Sequence, residues 1–141
     1  MRRLAFAFIA CLGAPAQADI FDQISGTWGL TDRSELSCAE NPHRISFTPE
    51  RSRARFVWEQ PMLSYTGEWL TEGGYDVISH DETSVTMALD GEQRLTGDGA
   101  PVVWILRLLD EGNRYCWGRT DWAEEDCIDR YMRCPAPVPV S

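Results

Sequence analysis

The chain has 141 residues, with 22 acidic side chains against 13 basic ones and a formal net charge of −9. That length suits one domain with a single buried core. The acidic balance opposes nucleic acid and anionic membrane surfaces as partners, because both repel it at long range.

Arg2 and Arg3 precede an apolar run over 4–12, and Ala16-Gln17-Ala18 places small residues where a signal peptidase reads them. Residues 1–18 therefore read as a signal peptide cleaved after Ala18, which predicts a periplasmic or secreted protein. Lipidation at Cys11 is the rival, but Phe8-Ile9-Ala10 is a poor lead-in to it. The apolar run is too short to span a bilayer, and nothing later resembles a membrane helix. Cleavage removes two arginines and no acidic residue, leaving a formal charge of about −11 on the domain expected over 19–134.

From Gly26 onward, alternation of apolar and polar residues predicts strands over 27–31, 44–48, 53–59, 65–71, 75–79, 84–89, 102–109 and 114–118. Turn chemistry separates them at Thr48-Pro49-Glu50, Gln60-Pro61, Gly73-Gly74, Asp81-Glu82, Asp90-Gly91, Gly97-Asp98-Gly99 and Glu111-Gly112-Asn113. One parity collects Ile45, Phe47, Phe56, Trp58, Tyr65, Trp69, Val77, Val85, Met87, Trp104 and Leu106. The other collects Arg44, Arg53, Arg55, Glu59, Glu68, Asp76 and Arg107. One apolar face and short connections predict an all-β fold, an eight-stranded antiparallel up-and-down barrel, with an open sandwich as the alternative.

After the last of these strands the period changes. Asp121 with Glu124 forms a capping-box pattern, Glu125 and Asp126 suit a helix N-terminus, and Arg130 and Arg133 suit its C-terminus. One C-terminal α-helix is expected, reaching about Arg133 and stopped by Pro135. The Pro-rich residues 135–141 read as a disordered tail.

Cys38, Cys116, Cys127 and Cys134 remain after cleavage, and an even number in an exported domain predicts two disulfides. Zinc would favour closely spaced pairs, so no metal is expected. On a continuous helix Cys127 and Cys134 would lie ~10.5 Å apart, beyond bonding reach. A helix folding back along the last strand predicts Cys116 with Cys127, and Cys38 with Cys134.

Gly26-Thr27-Trp28 at the first strand, about eight successive strands and a following helix resemble a lipocalin-type barrel. In that family the G-x-W tryptophan closes one barrel end beneath an arginine from just past the last strand. The resemblance implies barrel-closing roles for Gly26, Trp28 and Arg119. The family's mid-chain T-D-Y motif is missing, and Gly74-Tyr75-Asp76 does not replace it.

Phe56, Trp58, Tyr65, Trp69, Trp104 and Trp117, with Tyr75 and Tyr115, form an inward aromatic set that either binds a small apolar ligand or fills the barrel. The stripe Arg51, Arg53 and Arg55 is read as a solvated face pairing with acidic neighbours such as Glu68 and Asp76. His43 and His80 read as surface loop residues. Asp90, Glu92 and Asp98, and the run Glu124-Glu125-Asp126, lack calcium-loop spacing. Ser64, Ser79 and Ser84 lack a nucleophile-elbow pattern. The sequence thus predicts a non-enzyme without cofactor, partnered by a small apolar ligand or an envelope protein. The second reading is a protein-binding inhibitor, because the secreted bacterial metalloprotease inhibitors are similar small barrels that insert a free N-terminal segment into a protease cleft.

Overall fold

A computed structural model describes residues 13–14, 16, 18–32 and 34–136. Most of the leader read at 1–18 and the tail from 137 onward lie outside the described residues. A short helix, α1 (Ile20–Ile24), precedes eight strands: β1 (Gly26–Leu30), β2 (His43–Phe47), β3 (Arg53–Leu63), β4 (Trp69–His80), β5 (Ser84–Leu89), β6 (Trp104–Leu109), β7 (Arg114–Arg119) and β8 (Ile128–Arg133). They form a closed barrel in sequence order, all antiparallel, and β1 meets β8 through Trp28 opposite Arg133 and Leu30 opposite Tyr131. Closure gives every strand two neighbours, and only the β3–β4 hairpin extends past them. No helix among the described residues is long and apolar enough to cross a membrane.

Two expected elements are corrected. The segment read as a C-terminal helix is β8, flanked on both sides by β7 and β1. The capping signal at Asp121 is consumed locally, where its carboxylate accepts from Arg119 Nε at 2.8 Å and Nη2 at 2.7 Å. Beyond it, two strands with unpaired backbone groups offer more hydrogen bonds than an isolated helix would, and tertiary pairing overrides the local pattern. The second correction concerns two expected turns that lie inside single strands, Gln60-Pro61 in β3 and Gly73-Gly74 in β4. Gly73 faces Trp58, and at Gly74 a β-carbon would fall 2.5 Å from Asp90 Oδ2 and 2.7 Å from Arg53 Nη2. These glycines admit close neighbours instead of turning the chain.

The helix α1 seals one barrel end. Asp19 caps it by accepting from the Asp22 amide at 2.9 Å, and Ile20, Phe21 and Ile24 are buried below. The Trp28 indole donates to the Ile24 carbonyl at 2.8 Å. Above the Trp28 ring lies Arg133, its guanidinium carbon 4.3 Å from the centroid, donating to the carbonyls of Gln23 and Gly112. Gly26, at φ 134, leaves room for it, since an added β-carbon would stand 3.1 Å from Arg133 Nη1. The barrel-closing cation is therefore Arg133, not Arg119. Arg119 sits towards the opposite end, 5.0 Å from the Trp122 ring.

Two disulfides join Cys38 to Cys134 and Cys116 to Cys127, as expected from the sequence. The Cys116–Cys127 bond ties β7 to the approach of β8, not to a helix. At Gly29 a β-carbon would collide with the Cys38 backbone, so glycine lets that loop lie flat on β1.

The half of the barrel next to α1 is packed solid around Ile24, Trp28, Ile45, Val85, Met87, Leu106 and Tyr115, each under 2% exposed. His43, read as a loop residue, belongs to this interior at 2% exposure, and its Nε2 lies 2.6 Å from the Tyr115 hydroxyl. His80 is exposed, its ring edge-on to Phe21 at 4.8 Å. On the outer wall Arg53 bridges Asp76 at 2.7 Å and Asp90 at 2.8 Å, Arg55 pairs with Glu72, and Arg51 holds the α1 cap Asp19 at 2.6 Å. Glu68 takes no part in these pairs. Side-chain exposure screens these pairs, so each adds little to stability.

Candidate functional site

The barrel end opposite α1 is open. There β3 and β4 run past their neighbours as a long hairpin, and the segment between β5 and β6 folds across from it. Together they enclose a cavity of about 590 Å³ lined by Trp58, Tyr75, Trp104 and Trp117, with Met62 and Leu70 towards the rim. Sites for one small ligand fall in this size range. The eight-stranded barrel is thus filled in the half next to α1 and leaves a cavity in the other half.

Each ring reaches the cavity through strand parity. Trp58 on β3, Tyr75 on β4, Trp104 on β6 and Trp117 on β7 all point inward, as do Phe56 and Leu106 one layer below. Tyr75 stacks on Trp117 at 5.5 Å and 19°, and Trp104 meets Trp117 at 6.1 Å and 83°. Opposite Trp58, Gly73 leaves the wall without a side chain, and that gap contributes to the cavity.

A charged strut fixes the mouth. Glu92 accepts from Arg94 Nε at 2.7 Å and Nη2 at 2.9 Å, from the Arg94 amide at 2.9 Å and from the Trp104 indole at 2.8 Å. Its side chain is only 4% exposed. Burial pushes the Glu92 carboxyl up, but the donors from Arg94 and Trp104 outweigh it and hold the group at about 2. The Arg94 guanidinium carbon lies 3.7 Å from the Tyr65 ring centroid and 4.7 Å from that of Trp104. Tyr65 in turn accepts from the Gln93 amide at 3.0 Å. The hairpin tip is thereby clamped across the mouth to the β5–β6 segment.

Of the six ligand-lining residues expected from the sequence, Trp58, Tyr65, Trp104 and Trp117 line the cavity. Phe56 lies beneath it, 2% exposed, packing on Tyr75 at 5.0 Å and Trp117 at 5.8 Å. Trp69 is outside, 69% exposed on the projecting hairpin. It shares the parity of Gly73 and Tyr75 in β4, but lies on the part of the hairpin that runs past the pairing with β5, which begins at Tyr75. Glu92 and Arg94 went unassigned because they lie in an irregular segment. Their i, i+2 spacing is the only trace they leave in the sequence, because Trp104 lies 12 residues past Glu92.

Polar clusters named from the sequence find local partners. Asp90 pairs with Arg53, and Asp98 accepts from Thr96. Among the described residues no group of three or more His, Cys, Asp or Glu side chains is placed to hold a metal ion. Comparisons with protein families, with curated proteins and with solved structures found no match.

Proposed function

We propose that the protein is a non-catalytic binding protein working outside the cytoplasm, which holds one small, largely apolar ligand in the open end of its barrel. The carrying observation is the aromatic cavity of about 590 Å³ at one end of a barrel whose other end is sealed by α1, Trp28 and Arg133. A sealed floor and a clamped mouth are what a carrier needs to retain a ligand without reacting with it. The two disulfides support an oxidising compartment. The arginine across the G-x-W tryptophan, supplied by Arg133, supports a lipocalin-like reading of the barrel. The inhibitor reading is weaker, because residues Ile20–Ile24 are packed into the barrel end and give no free N-terminal plug.

The test is titration of the disulfide-bonded protein with N-phenyl-1-naphthylamine, a neutral apolar fluorophore, together with native mass spectrometry of protein recovered from its own compartment. Saturable probe fluorescence with energy transfer from the tryptophans, or a retained small-molecule mass, supports the reading. Unmoved fluorescence together with the bare chain mass overturns it.

A further inference from the structure

The rings and charges of the cavity wall select a ligand class. Tyr75 and Trp117 share nearly parallel planes while Trp104 stands almost perpendicular to Trp117, so π faces and edges meet at a corner with Trp58 also on the wall. Aromatic residues surround ammonium and alkylammonium groups in arrangements of this kind, because the ring faces carry negative potential. Two of the mouth rings already hold a cation: Arg94 rests on Tyr65 and Trp104.

Charge on the wall points the same way. Arg94 is the only basic side chain lining the cavity among the described residues, and Glu92 occupies it with two hydrogen bonds. An incoming anion would have to displace a nearly buried carboxylate. Glu68, Glu72, Asp90 and Asp129 also line the cavity. Glu72 and Asp90 are answered by Arg55 and Arg53 on the outer wall, whereas Glu68 and Asp129 form no ion pair with any described residue. Asp129 stands where the β7–β8 register shifts, with φ 53. Burial first, then the neighbouring Tyr131, raises the hydroxyl pKa of Tyr75 and Tyr115; at Tyr75 Arg94 opposes the smaller effects of Glu92 and Asp90, and at Tyr115 Asp129 adds a smaller rise after Tyr75.

Resting on the binding-site reading above, we propose that the ligand is an organic cation: an apolar or aromatic body carrying an ammonium or alkylammonium group, caged by Trp58, Tyr75, Trp104 and Trp117 with Asp129 as counter-charge. An anionic amphiphile such as a fatty acid is disfavoured, since among the described residues the one basic side chain lining the cavity, Arg94, is already paired with Glu92.

Three probes of one shape and different charge test this by tryptophan fluorescence: phenyltrimethylammonium, its uncharged isostere tert-butylbenzene, and benzenesulfonate. The ammonium probe is expected to bind at least ~10-fold more tightly than the isostere, with the sulfonate weakest. Asp129→Asn, which keeps a side chain tolerant of positive φ, is expected to narrow that gap by roughly threefold or more while leaving tert-butylbenzene unchanged. Equal or tighter binding of the neutral or anionic probe overturns the charge preference and leaves the cavity reading standing. An unchanged gap in Asp129→Asn overturns the counter-charge role. If none of the three probes nor N-phenyl-1-naphthylamine binds, both readings fall.

Discussion

Arg133, the final residue of β8, lies across the Trp28 ring of β1 with its guanidinium carbon 4.3 Å from the centroid, so the strand that closes the barrel also locks its sealed end. The same guanidinium satisfies carbonyls of the α1 region and of the β6–β7 turn. Its loss removes a cation–π contact and leaves part-buried acceptors unpaired. Arg133→Ala is expected to cost about 2–4 kcal/mol, read as a lower urea midpoint with an unchanged slope. Arg119→Ala, which leaves Trp28 untouched, is expected to cost well under half as much.

Stability should fall on acidification through His43. Burial lowers its pKa from 6.5 to about 3, so the unfolded chain takes up a proton that the folded barrel refuses. The folded-state value is depressed; the contribution is fully present above pH 6.5 and is lost progressively as pH falls towards 3, by up to about 5 kcal/mol. His43→Gln is expected to flatten the slope of unfolding free energy between pH 6.5 and 4.5, whatever it does to absolute stability. An unchanged slope would show that the imidazole does not titrate differently on folding.

Glu92 acts in a lower window. Its carboxyl is held at about 2 against an ordinary 4.5, which makes its contribution present above pH 4.5 and lost as pH falls towards 2. Glu92→Gln leaves Arg94 without its bidentate partner and is expected to destabilise by about 1–3 kcal/mol. It should also loosen the Tyr65 clamp, seen as faster amide exchange at Gln93 and Arg94.

Reduction of Cys38–Cys134, which spans 96 residues, should destabilise more than reduction of Cys116–Cys127, which spans 11. Loop-closure entropy puts the first at ~4–5 kcal/mol and the second at ~2–3 kcal/mol. Paired Cys→Ser variants compared by thermal unfolding give the ordering.

The barrel was legible because Ile45, Phe56, Met87 and Leu106 keep strict alternation, and a two-residue period names its own buried face. What failed was wherever distant strands decided local form. The 121–133 segment carries helix signals yet is captured by β1 and β7, and Gly73-Gly74 reads as a turn although β4 runs straight through it. His43 gave no sign of burial because its hydrogen bond goes to Tyr115, 72 residues away. At the site, parity puts Trp58, Trp104 and Trp117 on the inward face, where they line the cavity. The projection of the β3–β4 hairpin, which carries Trp69 beyond the barrel, and the Glu92–Arg94 strut depend on strand lengths and loop geometry that no periodicity encodes.

The central claim is an accessible cavity in the open end, and Gly73 offers a direct way to fill it. Its inward position has room, since an added β-carbon would stand 3.9 Å from Trp58 Cζ3 with nothing nearer. Titration of wild type and Gly73→Leu with N-phenyl-1-naphthylamine, alongside their thermal midpoints, is the decisive measurement. The account predicts saturable binding in wild type and a loss of at least ~10-fold in Gly73→Leu with the fold retained. Equal binding by a folded Gly73→Leu, or none by wild type, would contradict it.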